Sequence, residues 1–204
     1  MSDKPFNLLI VCRGNVNRSP ALEALFAREA RKYLDLKVSS AGLNPSDYPR
    51  GMSDEMYDIL VGRGFYYEAR KIWERPGPTI LQPEMIEQND LILCSDPDHV
   101  LRIRQSFVEE AFKGKIHTLP EYAGFAGETI PDPSKKLKNI SYAARLGIWA
   151  VNKFDPEKAH QLKIKKTSNF KRVNRIYQEN VDQMMRYIPG ALERLEREDK
   201  IHRF

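Results

Sequence analysis

Three short strand-like runs, the first and third almost wholly apolar and each separated from the next by stretches of helical spacing, constrain this chain more than any other feature. Asn7-Leu8-Leu9-Ile10-Val11 is followed by a helical pattern from Pro20 to about Tyr33, with Leu22, Leu25, Phe26 and Ala30 recurring on one stripe. Lys37 to Gly42 reads as a second strand ending at a Gly turn, and Met52 to Arg63 as an amphipathic helix with Gly62 and Gly64 near its end. Pro83 to Gln88 is helical, Asp90-Leu91-Ile92-Leu93-Cys94 is the third run, and His99 to Phe112 reads as a helix. Lys115 to Leu119 is a short last strand, and Gly124 to Pro133 is a loop. Asn169 to Glu198 is a long helix whose apolar stripe includes Val173, Ile176, Tyr177, Val181, Met184, Met185, Ile188, Leu192 and Leu195. Continuous apolar runs belong to strands buried on both faces, and their alternation with helices implies βαβ units. The expected class is therefore α/β, a parallel sheet covered on both sides.

A chain of 204 residues suits one such domain and can bury a real core. With 41% hydrophobic and 30% charged residues it reads as globular, and no run approaches the roughly 18 apolar residues of a membrane span. Met1 to Phe6, carrying Asp3 and Lys4, does not resemble a secretory leader, so the expected location is the cytoplasm and no membrane partner is expected. Cys12 and Cys94 make no disulfide framework, and with four His there is no metal-ligand spacing, so no cofactor is expected. The net charge of +5 is uneven. Lys135 to Arg175 holds twelve Lys or Arg against Asp155 and Glu157, a net +10, which leaves about −5 for the rest. An acidic partner suits that segment better than nucleic acid does, although a solvated helical face explains it equally well.

The chemistry lies between the first strand and the first helix, in Cys12-Arg13-Gly14-Asn15-Val16-Asn17-Arg18-Ser19. A loop running from a strand end into a helix N-terminus points backbone N–H groups, and the helix dipole, at whatever occupies it. Gly14 and Asn15 both tolerate the positive φ that a tightly curled loop needs. Arg18, six residues after Cys12, can return its planar guanidinium over the same anion and match two phosphate oxygens. The same electropositive setting favours a nucleophilic Cys12 thiolate, to which Ser19 can donate a hydrogen bond. A thiolate beneath a bound phosphate is the arrangement for nucleophilic phosphoryl transfer. Its leaving atom needs a proton, and Asp132, between Pro131 and Pro133, is the candidate general acid and then base, with Asp96 and Asp98 next. Taken alone, a Pro-Asp-Pro is usually only a turn.

Val11-Cys12, Arg18-Ser19-Pro20, Ser39-Ser40-Ala41-Gly42, Asp90-Leu91-Ile92-Leu93 and the late Asp132-Pro133 together resemble the low-molecular-weight protein tyrosine phosphatase family. The similarity runs from about Asn7 to Pro133 and resumes in the final helix. It implies a three-layer α/β/α fold with a central four-stranded parallel sheet, no metal, a phosphorylated protein as substrate and a phospho-cysteine intermediate. The whole chain would form one phosphatase domain with an extra basic insertion at about 135–168.

The chain departs from the family pattern at three positions. Asn17 stands where many members carry a second Cys that protects the nucleophile. Ser134 stands where the family usually has an aromatic residue against the substrate ring, and Tyr48 is an alternative source of that wall. Val16 occupies the position that is Thr in the arginine-specific branch and a larger aliphatic in tyrosine-specific members, so Val16, Tyr48 and Ser134 are the candidate selectivity residues. His117-Thr118-Leu119-Pro120-Glu121-Tyr122 looks closer to the arginine branch, while Val16 lacks the hydroxyl that branch uses. Phosphotyrosine is the expected substrate and phosphoarginine the rival. An arsenate reductase on the same fold would need a further Cys where Leu101 stands, with Cys94 as its second. A phospho-ligand-binding pseudophosphatase would not need Cys12, Arg18 and Asp132 together.

Overall fold

The computed structural model describes residues 4–33, 35–45, 47–106, 110–137 and 168–203. Most of the basic insertion, residues 138–167, lies outside them. Four strands, β1 (Phe6–Cys12), β2 (Leu36–Gly42), β3 (Leu91–Cys94) and β4 (Ile116–Thr118), form one sheet in the order β2-β1-β3-β4, parallel throughout. In register Leu8 faces Val38 and Leu91, and Val11 faces Ala41 and Cys94.

The unbroken apolar runs are explained by a core on each face. Leu8, Ile10, Leu91 and Leu93 pack against α1 (Arg18–Ala30), α2 (Asp54–Gly62), α3 (Tyr66–Trp73) and the long C-terminal helix. Leu9, Val11, Ala41, Ile92, Cys94 and Ile116 pack on the other face against Ile86 of α4 (Pro83–Gln88) and Ile103 of α5 (Pro97–Ser106). Leu22, Leu25 and Phe26 of α1 are essentially fully buried. Each contributes about 1.5–3 kcal/mol by leaving water, which fixes α1 and with it the loop at its N-terminus. Two four-residue helices follow β4, α6 (Leu119–Tyr122) and α7 (Pro133–Lys136), and then α8 (Ser168–Arg197). Val173, Tyr177, Val181, Met184 and Leu195 of α8 belong to the first core, as the apolar stripe predicts, whereas Met185, expected on the same stripe, is exposed because it falls at the stripe's edge.

The structure differs from the sequence-based expectations by one whole helix and at several element ends. Tyr66–Trp73 is a helix that the sequence reading passed over; its stripe is only Ala69 and Ile72. The helix expected over His99 to Phe112 starts at Pro97, and Glu110 to Phe112 belongs to a 3₁₀ helix, Glu110–Lys115, that feeds β4. The last strand ends at Thr118, because its hydroxyl accepts from the Glu121 N–H and starts α6 at Leu119. Ser53 does the same for α2 through the Met56 N–H, so that helix begins at Asp54 rather than Met52.

Candidate active site

The site forms where β1 and β3 end, with α1 leaving toward one face of the sheet and α5 toward the other, the usual position of a ligand crevice in an open parallel sheet. Cys12 is the last residue of β1 and is buried. Past it the chain keeps contact with the sheet, Leu43 and Asn44 donating N–H bonds to the carbonyls of Cys12 and Arg13. The loop then curls through Asn15, whose φ is +48°. Gly14 is not left-handed, so of the two residues expected to allow positive φ only Asn15 adopts it. Gly42, at the end of β2, serves by its missing side chain: a Cβ there would sit 2.8 Å from the Asn15 nitrogen. The first turn of α1 contains no acidic residue, and Asn17 does not cap it with its side chain, which keeps that end electropositive. Asn17 Oδ1 accepts instead from the Ser53 hydroxyl at 2.6 Å, and the Val16 carbonyl accepts from the Ser53 N–H at 2.9 Å, pinning the loop to the start of α2.

Two donors meet the Cys12 sulfur. The Ser19 hydroxyl lies 3.0 Å from Sγ and the Asn15 N–H 3.3 Å, and both hydrogen bonds stabilise negative charge there. The proton directions behind them follow from Asn15. Its Oδ1 accepts from the Thr79 N–H at 2.7 Å, so its Nδ2 donates to Ser19 Oγ and Ser40 Oγ, each at 2.9 Å. Ser40 then donates to Glu23 at 2.7 Å, and Arg75 holds both Glu23 oxygens at 2.5 and 2.9 Å. Because Ser19 accepts from Asn15, its own proton is left for Cys12, with the Ala41 carbonyl a longer alternative at 3.3 Å. Glu23, Arg75 and Thr79 were missed in the sequence. The signal for Glu23 was present: an acid between Leu22 and Ala24 on the buried face of α1, where a charge must have partners.

Arg18 is buried and its guanidinium joins the distant loop, Nη1 donating to the Ile130 carbonyl at 3.3 Å and Nη2 to Asp132 Oδ2 at 3.1 Å. The sequence offers Asp132 through its setting between two prolines and through the family resemblance; the structure brings it to Arg18. Its other oxygen accepts from the Ser134 N–H at 3.0 Å and the Ser134 hydroxyl at 2.6 Å. Ser134 thus orients Asp132 and provides no wall. Tyr48 is half-buried, its hydroxyl oxygen accepts from the Asp54 N–H at 3.3 Å, and burial pushes its pKa up to about 12, so it stays neutral beside the Val16 edge of the loop. Arg13 is exposed and Val16 half-exposed.

Two further titratable groups lie close by. Cys94 is fully buried, and burial raises its pKa, which keeps it an inert thiol. His99, in the first turn of α5, is buried with no hydrogen-bond partner at Nδ1. Burial and then the Arg18 charge lower its pKa to about 4, so it is neutral at physiological pH. Asp96 and Asp98 lie at the start of α5, and the Asp98 N–H is bonded to the Asp96 carboxylate. Neither has a hydrogen bond to Arg18. Among the described residues no cluster of His, Cys, Asp and Glu is arranged to hold a metal, and no helix is long and apolar enough to cross a membrane.

The family model for low molecular weight phosphotyrosine protein phosphatase matches residues 7–147. The chain belongs to this family. It is a cysteine-dependent phosphatase and a phosphoric monoester hydrolase, for which a phospho-cysteine intermediate is typical. It is 31% identical over 134 residues to the low molecular weight protein-tyrosine-phosphatase Ptp of Acinetobacter johnsonii, covering 62% of this chain and 79% of that one. It is 28% identical over 128 residues to the protein-arginine-phosphatase of Bacillus subtilis, with the same two coverages. Among solved structures, the low molecular weight phosphotyrosine phosphatase of Vibrio cholerae superposes with a TM-score of 0.65 at 17% identity, covering 95% of this chain and 98% of that one. The arginine phosphatase of Geobacillus stearothermophilus gives 0.63 at 20% identity, with 95% of both chains covered. These likenesses confirm the three-layer fold with its four-stranded parallel sheet.

Proposed function

We propose that the protein hydrolyses phosphotyrosine in proteins, with Cys12 as nucleophile, Arg18 as phosphate clamp and Asp132 as general acid and base. The observation that supports this reading is the pair of donors on the Cys12 sulfur together with the Arg18–Asp132 contact. The amides of the loop from Arg13 to Ser19 and the Arg18 fork bind the phosphoryl oxygens. Cys12 Sγ attacks phosphorus in line, the bond to the tyrosine oxygen breaks, and Asp132 gives that oxygen its proton. Water then attacks the phospho-cysteine, Asp132 takes the water's proton, and inorganic phosphate departs with the S–P electrons returning to the Cys12 thiolate. In the resting state Arg18 holds Asp132 Oδ2. An arriving phosphate competes for the guanidinium and frees that oxygen to take up a proton from solvent and present it to the leaving group, while Ser134 keeps the carboxyl group in place.

Val16 supports phosphotyrosine over phosphoarginine. An apolar wall accepts an aromatic ring, whereas a guanidinium left without a polar partner is strongly rejected. The rival keeps one specific support, the 28% identity to a protein-arginine-phosphatase. A redox enzyme is disfavoured by an inert Cys94 and by Leu101, an exposed residue where a further thiol would be required. A catalytic thiol works where thiols stay reduced, which supports action in the cytoplasm. Side-by-side hydrolysis of phosphotyrosine and phosphoarginine peptides, with Cys12→Ser as control, tests the assignment. Native enzyme is expected to prefer phosphotyrosine and Val16→Thr to shift the ratio toward phosphoarginine; a native preference for phosphoarginine overturns it.

A further inference from the structure

Resting on that reading, we propose that the preferred substrates carry acidic residues beside the phosphorylated one, bound by a basic surface that α7 and the first turns of α8 build next to Asp132. α7 starts one residue after Asp132, and the Lys135 N–H bonds the Asp132 carbonyl at 3.1 Å. Lys135 and Lys136, both exposed, therefore lie within one helical turn of the general acid. Leu137 is buried in the core and anchors them.

α8 is fixed to the same loop. Asn180 Nδ2 donates to the Pro131 carbonyl at 2.9 Å, and Ile176 and Asn180 line a crevice of about 30 Å³ with Pro131, Pro133 and Lys136. Lys171, Arg172 and Arg175 are exposed on the turns just before Ile176. Among the described residues Lys135, Lys136, Lys171 and Arg172 have no ion-pair partner. Arg175 meets Glu179 at 3.8 Å with both side chains largely in solvent, which leaves its charge almost unspent. Among the described residues the acids beside this crevice are Glu179 and Asp132, and Asp132 is held by Arg18.

α7 and α8 are both bonded to the loop that carries Asp132, through the Lys135 N–H and Asn180 Nδ2, and that favours a substrate flank over a separate partner. A substrate chain rises about 3.3 Å per residue, so acidic side chains roughly two to four positions from the phosphotyrosine fall over these cations. A long polyanion laid across the mouth would also meet Asp54 and Glu55 at the start of α2, on the Val16 side, which disfavours nucleic acid.

The test compares kcat/KM for two phosphotyrosine peptides that differ only in carrying Glu or Gln on both sides of the phosphotyrosine. At low ionic strength the Glu peptide is expected to be preferred about five- to tenfold through KM, and the preference to fade toward unity in roughly 0.5 M salt. A protein carrying Lys135→Gln, Lys136→Gln, Lys171→Gln and Arg172→Gln should lose the preference and keep its kcat on para-nitrophenyl phosphate. Equal kcat/KM for both peptides in the native enzyme overturns the inference, as does a preference that survives in the variant. If the four substitutions abolish binding to RNA or anionic vesicles while the peptide ratio is one, the surface serves a different polyanion and the inference is overturned. If para-nitrophenyl phosphate is cleaved and neither peptide is, the protein-phosphatase reading itself fails.

Discussion

The loop from Cys12 to Ser19 and the loop from Ile130 to Ser134 meet at Arg18, yet they are held in different ways. In the first, Asn15 and Ser19 are buried, and every polar atom of the Asn15 side chain is paired within a chain of bonds that ends on Arg75. Removing a member of such a network leaves its neighbour unsatisfied, at about 1–3 kcal/mol each. The second loop is partly open. It is tied by the Ile130 N–H to the Ser95 carbonyl, by Asn180 to the Pro131 carbonyl, and by Arg18 and Ser134 to the two oxygens of Asp132. Cys12 thus sits in a pre-built cradle, while Asp132 sits on a strap that a ligand of Arg18 can re-engage. On the proposed roles, chemistry that every substrate needs belongs to the first loop and chemistry that differs between leaving groups to the second.

The largest effect that would break this division is at Cys12. Cys12→Ser should abolish turnover and keep vanadate affinity, because the loop amides and Arg18 still bind the anion. Turnover above a few per cent in that protein removes Cys12 as nucleophile. Next comes Asp132→Asn, expected to slow substrates with poor leaving groups by on the order of 10²- to 10⁴-fold, the usual worth of general acid catalysis. An activated aryl phosphate should lose much less, and equal losses on both would move the acid role to Asp96 or Asp98.

The smallest effect sharpens the contrast from beneath, at His99. Arg18, Asp96, Asp98 and Arg102 are the charges around it, and the folded protein keeps it neutral down to about pH 4. An unfolded His takes up its proton near pH 6.5, so between those values the unfolded state binds more protons and stability falls as pH falls. The loss by pH 4 should be on the order of 2 kcal/mol, read from urea midpoints, and His99→Asn should flatten it. Identical slopes in both proteins would mean that other groups set the pH dependence.

The first loop was legible because its logic is local: strand, curl and helix lie in consecutive residues, and C-x5-R fixes the reach of Arg18. The sheet was legible for the same reason, since runs such as Leu8 to Val11 announce two buried faces. What escaped depended on distant partners. Glu23 lies on the buried face of α1, but its link to the loop runs through Ser40 of β2, and nothing in the spacing of Arg75 and Thr79 announces that they join the same network. Ser134 stood where an aromatic residue was expected, and only the fold shows that it orients Asp132. The Tyr66–Trp73 helix was obscured because one turn of it is nearly all polar or half-exposed.

The most direct test of this account is to quench the enzyme in acid during turnover of a phosphotyrosine peptide and map any added phosphoryl group by mass. The account predicts one phosphoryl group per chain on the peptide containing Cys12, with labelling lost in Cys12→Ser. A phosphoryl group on any other residue, with Cys12 unmodified, would contradict it.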